Sequence, residues 1–227
     1  NEHTETDTVS IAFGEAGNVY EIDALHSELY TYDGKPFALA SGEGRVFLVT
    51  DGEYEAKAHH RFTRGEITVA ELEIRRESSF VIGDEAFEKY EIDEGYTPTA
   101  PGDWCELYGT SFSGTVLYRV KFALDEIPDA IEIDLGKVGY SCDLTLNGKP
   151  LGSMCFAPFT CVAEKALLKR ENELTVRVCN TPANQYTAAK WLDEIPRHII
   201  GPYHEIAKQF ENETLVSGLM SPVVIRY

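Results

Sequence analysis

The sequence is short of positive charge. Of 227 residues, 20 are Lys or Arg and 38 are Asp or Glu, for a formal net charge of −18. A nucleic-acid or anionic-membrane partner calls for cationic surface, so neither is expected. Long hydrophobic runs are lacking as well. No apolar stretch approaches the roughly 18–20 residues of a bilayer-spanning helix. Cysteine is sparse, and Cys105, Cys142, Cys155, Cys161 and Cys179 show no C-x-x-C spacing. Zinc centres draw four convergent ligands, usually from close pairs, so no metal site is expected. The thiols read as small buried hydrophobes, Cys142 most clearly. Unpaired thiols favour a reducing compartment or an anaerobic source. No basic leader followed by an apolar run is visible. Together these features favour the cytoplasm. The chain begins Asn1-Glu2-His3 without Met, so a piece of a longer protein is expected.

Catalytic signatures are missing too. There is no G-x-S-x-G, P-loop, G-x-G-x-x-G or H-E-x-x-H, and no cofactor is implied. Paired carboxylates could do glycosidase chemistry. With 38 acids, pairs arise by chance, and a solvated strand face explains Glu71 and Glu73 more simply. His59 and His60 are adjacent, so on a strand they face opposite sides and read as surface histidines.

What is present is a period of two. In 116–124, Val116, Tyr118, Val120, Phe122 and Leu124 point one way, and Leu117, Arg119, Lys121 and Ala123 the other. Ile131/Ile133/Leu135, Cys142/Leu144/Leu146 and Leu174/Val176/Val178 repeat the pattern, as do Leu72/Ile74. Residues 18–25 and 45–51 also read as strands. Val46-Phe47-Leu48-Val49 is apolar on both faces, which predicts a central strand. Asp33-Gly34 and Asn147-Gly148 are type I′ hairpin signals. Many short strands at about 8–12-residue spacing predict a β-sandwich or jelly roll. A hydrophobic content of 43% suffices for a packed core. Two short helices are expected in a late loop, at 188–195 and 204–211, before a closing strand at 223–227. Residues 1–103 hold 23 acids and 8 bases, against 15 and 12 in 104–227, which predicts two differently organised halves.

The segment 181–204 gathers Asn184, Gln185, Tyr186, Trp191, Tyr203 and His204. Amides and aromatics suit a sugar, whose C–H faces are apolar and whose hydroxyls need polar partners. The competing reading is that Trp191 anchors its own loop on the sheets.

One ordered set of motifs resembles a known family. It runs Phe112-Ser113-Gly114-Thr115, then Ile133-Asp134-Leu135-Gly136, then Asp143-Leu144-Thr145-Leu146-Asn147-Gly148-Lys149-Pro150, then Ala157-Pro158-Phe159. Glu171-Asn172-Glu173-Leu174, Asn180-Thr181 and Ser217-Gly218-Leu219 complete it. This order resembles the galactose-binding-like β-sandwich domains attached to glycoside hydrolases. It is similar to the sugar-binding domain at the start of family 2 enzymes and to the jelly-roll domain ending family 106 rhamnosidase-like proteins. The resemblance covers roughly 104–227, with 67–90 supplying the first strands. More loosely, residues 1–60 resemble the last strands of the β domain preceding the jelly roll. It implies an all-β chain: a small β segment at 1–60 and a galactose-binding-like jelly-roll sandwich at 61–227. The implied role is a non-catalytic accessory region that binds a neutral glycan or braces the catalytic domain of the same polypeptide, that domain lying upstream. By position the resemblance adds Asn147 and Ser217 to Asn184, Tyr186, Trp191, Tyr203 and His204 as candidate carbohydrate contacts. A complete small jelly-roll glycanase or polysaccharide lyase and a purely structural interaction domain are the alternatives.

Overall fold

The computed structural model describes residues 6–14, 17–24, 27–40, 42–82, 87–188 and 216–227. The architecture is predominantly β, with a few short helices. The chain divides into two compact units, Asn1–Thr63 with Phe156–Pro158 and Arg64–Cys155 with Phe159–Tyr227. The boundary at 63/64 does not follow the charge. Residues 64–103, with 11 acids and 4 bases, belong to the second unit. Surface charge answers to solvent rather than to packing, so its distribution does not mark where a core begins.

Unit 1 contains β1 (Asp7–Val9), β2 (Asn18–Asp23), β3 (Glu28–Thr31), β4 (Phe37–Leu39) and β5 (Val46–Thr50). β1 pairs with β4, and a second antiparallel sheet runs β3-β2-β5. The central strand is therefore β2, and the expectation for 46–49 is corrected. β5 pairs only with β2 among the described residues, and Val46 and Val49 stay 56% and 45% exposed. Two apolar faces ask for cover on both sides, but Val46 and Val49, three residues apart and so on opposite faces, leave both faces of β5 partly exposed. The Asp33-Gly34 hairpin is corrected too, because β3 and β4 lie in different sheets. Only Gly34 takes a positive φ there, and Asp33 Oδ1 instead accepts the Lys35 N–H at 3.1 Å. Packing comes from aromatics. Tyr32 sits edge-on to Phe13 and Phe47, with centroids 5.6 and 5.1 Å apart, and Phe37 tilts against Phe47.

Unit 2 contains β6 (Glu66–Val69), β7 (Leu72–Ile82), β8 (Phe87–Glu91), β9 (Thr97–Thr99), α1 (Cys105–Tyr108) and β10 (Ser113–Ala123). β11 (Ala130–Asp134), β12 (Val138–Gly139), β13 (Ser141–Leu146), β14 (Lys149–Met154) and β15 (Thr160–Glu164) follow. A 3₁₀ turn (Lys165–Leu167), β16 (Glu171–Cys179), α2 (Ala183–Ala188), β17 (Gly218–Leu219) and β18 (Val223–Arg226) complete it. One antiparallel sheet runs β14-β13-β16-β10-β7-β8, with β9 also on β7, and a second runs β15-β11-β18-β6. The short strands β12 and β17 pair separately.

The alternation read from sequence is the burial pattern. Val116, Val120, Ile131, Ile133, Leu146, Leu174, Val176, Val178, Val223 and Ile225 have no measurable exposure. β10 departs from strict alternation at its start. Ser113 to Leu117 are all buried, so Leu117 does not face solvent as its place in the alternation implies. The strand lies between β16 and β7 in its sheet, and α2 lies close to β10 and β7. Glycine is required at Gly114, where a Cβ would lie 2.1 Å from the Ser78 carbonyl oxygen. Asn147-Gly148 forms the expected turn between β13 and β14, with φ of 53° and 81°.

The outer face of the larger sheet is polar. Glu73 pairs with Arg119 and Lys121, and Arg177 with Glu77 and Asp143, linking β7, β10, β16 and β13. None of the five cysteines forms a disulfide. Cys142 is buried and its thiol is pushed up to about 12, chiefly by burial; Cys155, by contrast, is exposed. The helices expected at 188–195 and 204–211 fall outside the described residues, apart from Ala188 at the end of α2. Among the described residues no helix is long and apolar enough to cross a membrane.

Candidate functional site

Several motif residues of unit 2 converge on one buried polar cluster. Asn180 follows β16. Its Oδ1 accepts the Gly114 N–H at 2.8 Å, and its Nδ2 donates to the Phe112 carbonyl at 3.0 Å and to Ser217 Oγ at 3.1 Å. Ser217 has no exposed surface. Its N–H donates to Asp103 Oδ1 at 3.0 Å, which also accepts the Cys105 N–H at 2.9 Å. Its carbonyl accepts the Trp104 N–H at 2.9 Å. Nearby, the hydroxyl of Tyr118 accepts the Leu219 N–H at 3.2 Å, and burial raises its pKa above the ordinary phenol range. Burial, then Asp103, pushes the Cys105 thiol up to about 11. Buried polar groups demand partners, and Asn180, Ser217, Asp103 and Tyr118 supply them to one another and to the backbone, whereas the buried Trp104 Nε1 and Ser78 Oγ have none among the described residues. The cluster ties the start of β10 to the end of β16 and to the closing segment.

The sequence-derived contacts divide accordingly. Ser217 belongs to that cluster. Asn184 on α2 is fully buried and donates to the Thr110 carbonyl at 3.2 Å. Asn147 donates to the Leu167 carbonyl at 2.8 Å and to Asn172 Oδ1 at 2.9 Å, and its Oδ1 accepts the Glu173 N–H at 3.1 Å. These amide bonds are internal and hold the hairpin corner. An open cleft of about 480 Å³ lies beside them, lined by Lys121, Phe122, Asn147, Glu171, Asn172 and Glu173. Tyr186 lies on α2 without a described side chain, and Trp191, Tyr203 and His204 lie outside the described residues. The structure therefore does not bring the seven candidates together into one described site.

A second cleft, of about 510 Å³, lies within unit 1, and sequence reasoning missed it. Its walls include Tyr32, Phe37 and Pro36. Arg45 extends from the start of β5 and lies 4.5 Å above the centroid of the Phe37 ring. Its guanidinium meets Glu43 at 3.0 Å and Glu21 at 3.4 Å. Glu21 also meets His59 Nε2 at 3.0 Å, and the His59 ring stacks on Tyr30 at 4.5 Å. At the rim, Asp33 meets Arg61 at 2.6 Å and Lys35 at 3.4 Å. The Lys35 backbone N–H holds the Asp33 carboxyl below the usual range, with help from the Lys35 and Arg61 charges. Residues 1–63 contain four basic residues, and three of them, Lys35, Arg45 and Arg61, line this cleft. No local motif announces it, because the fold gathers position 21 of β2 with positions 33, 45, 59 and 61 from the connecting segments. Among the described residues no group of three or more His, Cys, Asp or Glu side chains is arranged to hold a metal ion.

No family model matches the chain. A putative beta-glucuronidase of Formosa agariphila is 35% identical over 78 residues, which are 33% of this chain and 7% of that protein. Among solved structures, a rhamnosidase from Novosphingobium sp. PP1Y covers the whole chain with a TM-score of 0.62 at 19% identity. This chain spans 22% of that rhamnosidase. The chain thus has the fold of part of that rhamnosidase. A GH2 beta-galacturonidase from Eisenbergiella tayi aligns over 74% of the chain at 17% identity, with a TM-score of 0.46.

Proposed function

We propose that this chain is a non-catalytic accessory region of a glycoside hydrolase. In this reading unit 2 is a galactose-binding-like jelly-roll sandwich, and residues 1–60 form the end of a preceding β domain. One observation carries it. The rhamnosidase structure follows the chain over its whole length, yet the chain spans only about a fifth of that enzyme. The short stretch of identity with a putative beta-glucuronidase is consistent with the same enzyme class. The internal bonding of Asn147, Asn180 and Ser217 supports an architectural role for the resembling motifs. The exposed valines of β5 support unit 1 as part of a larger β assembly. The partner is a neutral glycan, the catalytic domain of the same polypeptide, or both. Fold alone does not assign activity, so the reading is tested on the chain itself. The purified chain is expected to hydrolyse none of a panel of aryl glycosides and polysaccharides, and to bind at least one neutral glycan by calorimetry. Turnover by the isolated chain would overturn the accessory reading.

A further inference from the structure

The unit 1 cleft carries an assignment beyond the sandwich contacts. We propose that it is a binding site for a neutral saccharide, with Tyr32 and Phe37 as the apolar wall and the Glu21–Arg45 and Asp33–Arg61 pairs as hydroxyl partners. The proposal rests on the carbohydrate reading above and moves the ligand from unit 2 to unit 1.

Three features point to this ligand class. The first is size. A volume of about 510 Å³ lies within the usual span of small-ligand sites and suits a short saccharide. The second is charge. The three cations Lys35, Arg45 and Arg61 are matched by the carboxylates Glu21, Asp33 and Glu43 within salt-bridge distance. A carboxylate or phosphate ligand would find these cations already paired, in a unit of 12 acids and 4 bases. A purely apolar ligand would desolvate charges without replacing their hydrogen bonds. A sugar does neither. Each hydroxyl donates and accepts, and it can bridge a carboxylate and a guanidinium that already hold each other in place. The third feature is the aromatic wall. Tyr32 and Phe37 are both half-buried and fixed by packing on Phe47, and Arg45 covers one face of Phe37, so the ring surface that remains forms a small preorganised apolar wall for the C–H groups of a pyranose. The unit 2 cleft differs, because Asn147 and Asn172 spend their amide groups on the hairpin corner.

The test uses the full ¹⁵N-labelled chain, titrated separately with D-galactose, L-rhamnose and cellotetraose, with D-glucuronate as the charged control. At least one neutral probe is expected to shift amides of 32–37, 45 and 59–61. Arg61→Ala and Asp33→Asn alter side chains that are 63% and 48% exposed, so the spectrum should keep its folded dispersion. Each is expected to weaken binding at least tenfold. Shifts confined to 121–123, 147 and 171–173 would overturn this site and leave the carbohydrate reading intact. Shifts with glucuronate alone would overturn the neutral-ligand assignment. No shift with any probe would overturn both the site and glycan binding, leaving only a bracing role.

Discussion

Units 1 and 2 are built from the same short antiparallel strands, yet they bury their side chains very differently. Of the 28 buried apolar side chains among the described residues, only Tyr20 belongs to unit 1. Unit 2 is organised around two sheets whose alternating faces exclude water. Unit 1 holds itself with an aromatic cluster and exposed ion pairs, which stabilise weakly. A β segment of about 60 residues buries too little surface for a strong core. The comparison also separates two uses of polar groups. In unit 2 the buried Asn180 and Ser217 spend their bonds on the framework. In unit 1 the charged side chains line an open cleft, where a ligand can reach them.

The largest expected difference between the units concerns glycine. Gly114→Val places a Cβ 2.1 Å from the Ser78 carbonyl oxygen. The cost should exceed about 4 kcal/mol, enough to prevent folding of a marginally stable unit. Gly34→Ala in unit 1 meets open space and only the strain of a positive φ, about 1 kcal/mol. Circular dichroism melts of the two variants check this. A Gly114→Val protein melting like the wild type would break the comparison.

Core truncation comes next. Leu174→Ala on β16, fully buried, should destabilise by about 3 kcal/mol through lost transfer energy and a cavity. Val49→Ala on β5, 45% exposed, should fall within about 0.5 kcal/mol of wild type. Urea unfolding followed by fluorescence measures both. Equal losses would mean that β5 is covered as well as β16 is.

The smallest effect is on acid stability. Glu94 accepts two bonds from the Arg76 guanidinium, at 3.1 and 2.8 Å, and one from the Arg76 N–H at 2.5 Å. The side-chain bonds contribute most to lowering its pKa, against burial. A folded pKa below the unfolded value of about 4.3 stabilises the protein above that pH. The contribution disappears as pH falls through the folded value. The midpoint of thermal unfolding should therefore drop on acidification below about pH 4.3, and Glu94→Gln should flatten that limb. Asp33→Asn should leave it nearly unchanged, because that pair stands in solvent.

Much of unit 2 is legible from local pattern. The alternation of 116–124, 131–135, 142–146 and 174–178 predicts strands and their buried faces because side-chain period and burial are the same fact. Asn147-Gly148 predicts its hairpin because positive φ at both positions is a local requirement. Unit 1 is less legible. Val46 to Val49 look central by composition, yet pairing partners decide which strand is central. Asp33-Gly34 carries the right residues for a hairpin, but the strands on either side pair elsewhere. The site is the least legible part. Ser217 and Asn184 look available to a ligand until their partners 37 to 114 residues away are known. The cleft residues 21, 33, 45, 59 and 61 share no spacing that a linear reading could detect.

Hydrogen–deuterium exchange on the intact chain tests the central contrast most directly. Amides of β10, β11 and β16 should exchange only through global unfolding, while those of β2 and β5 should exchange orders of magnitude faster through local opening. Equal protection across β2, β5, β10 and β16 would contradict the account, because it would place both units in one equally stable core.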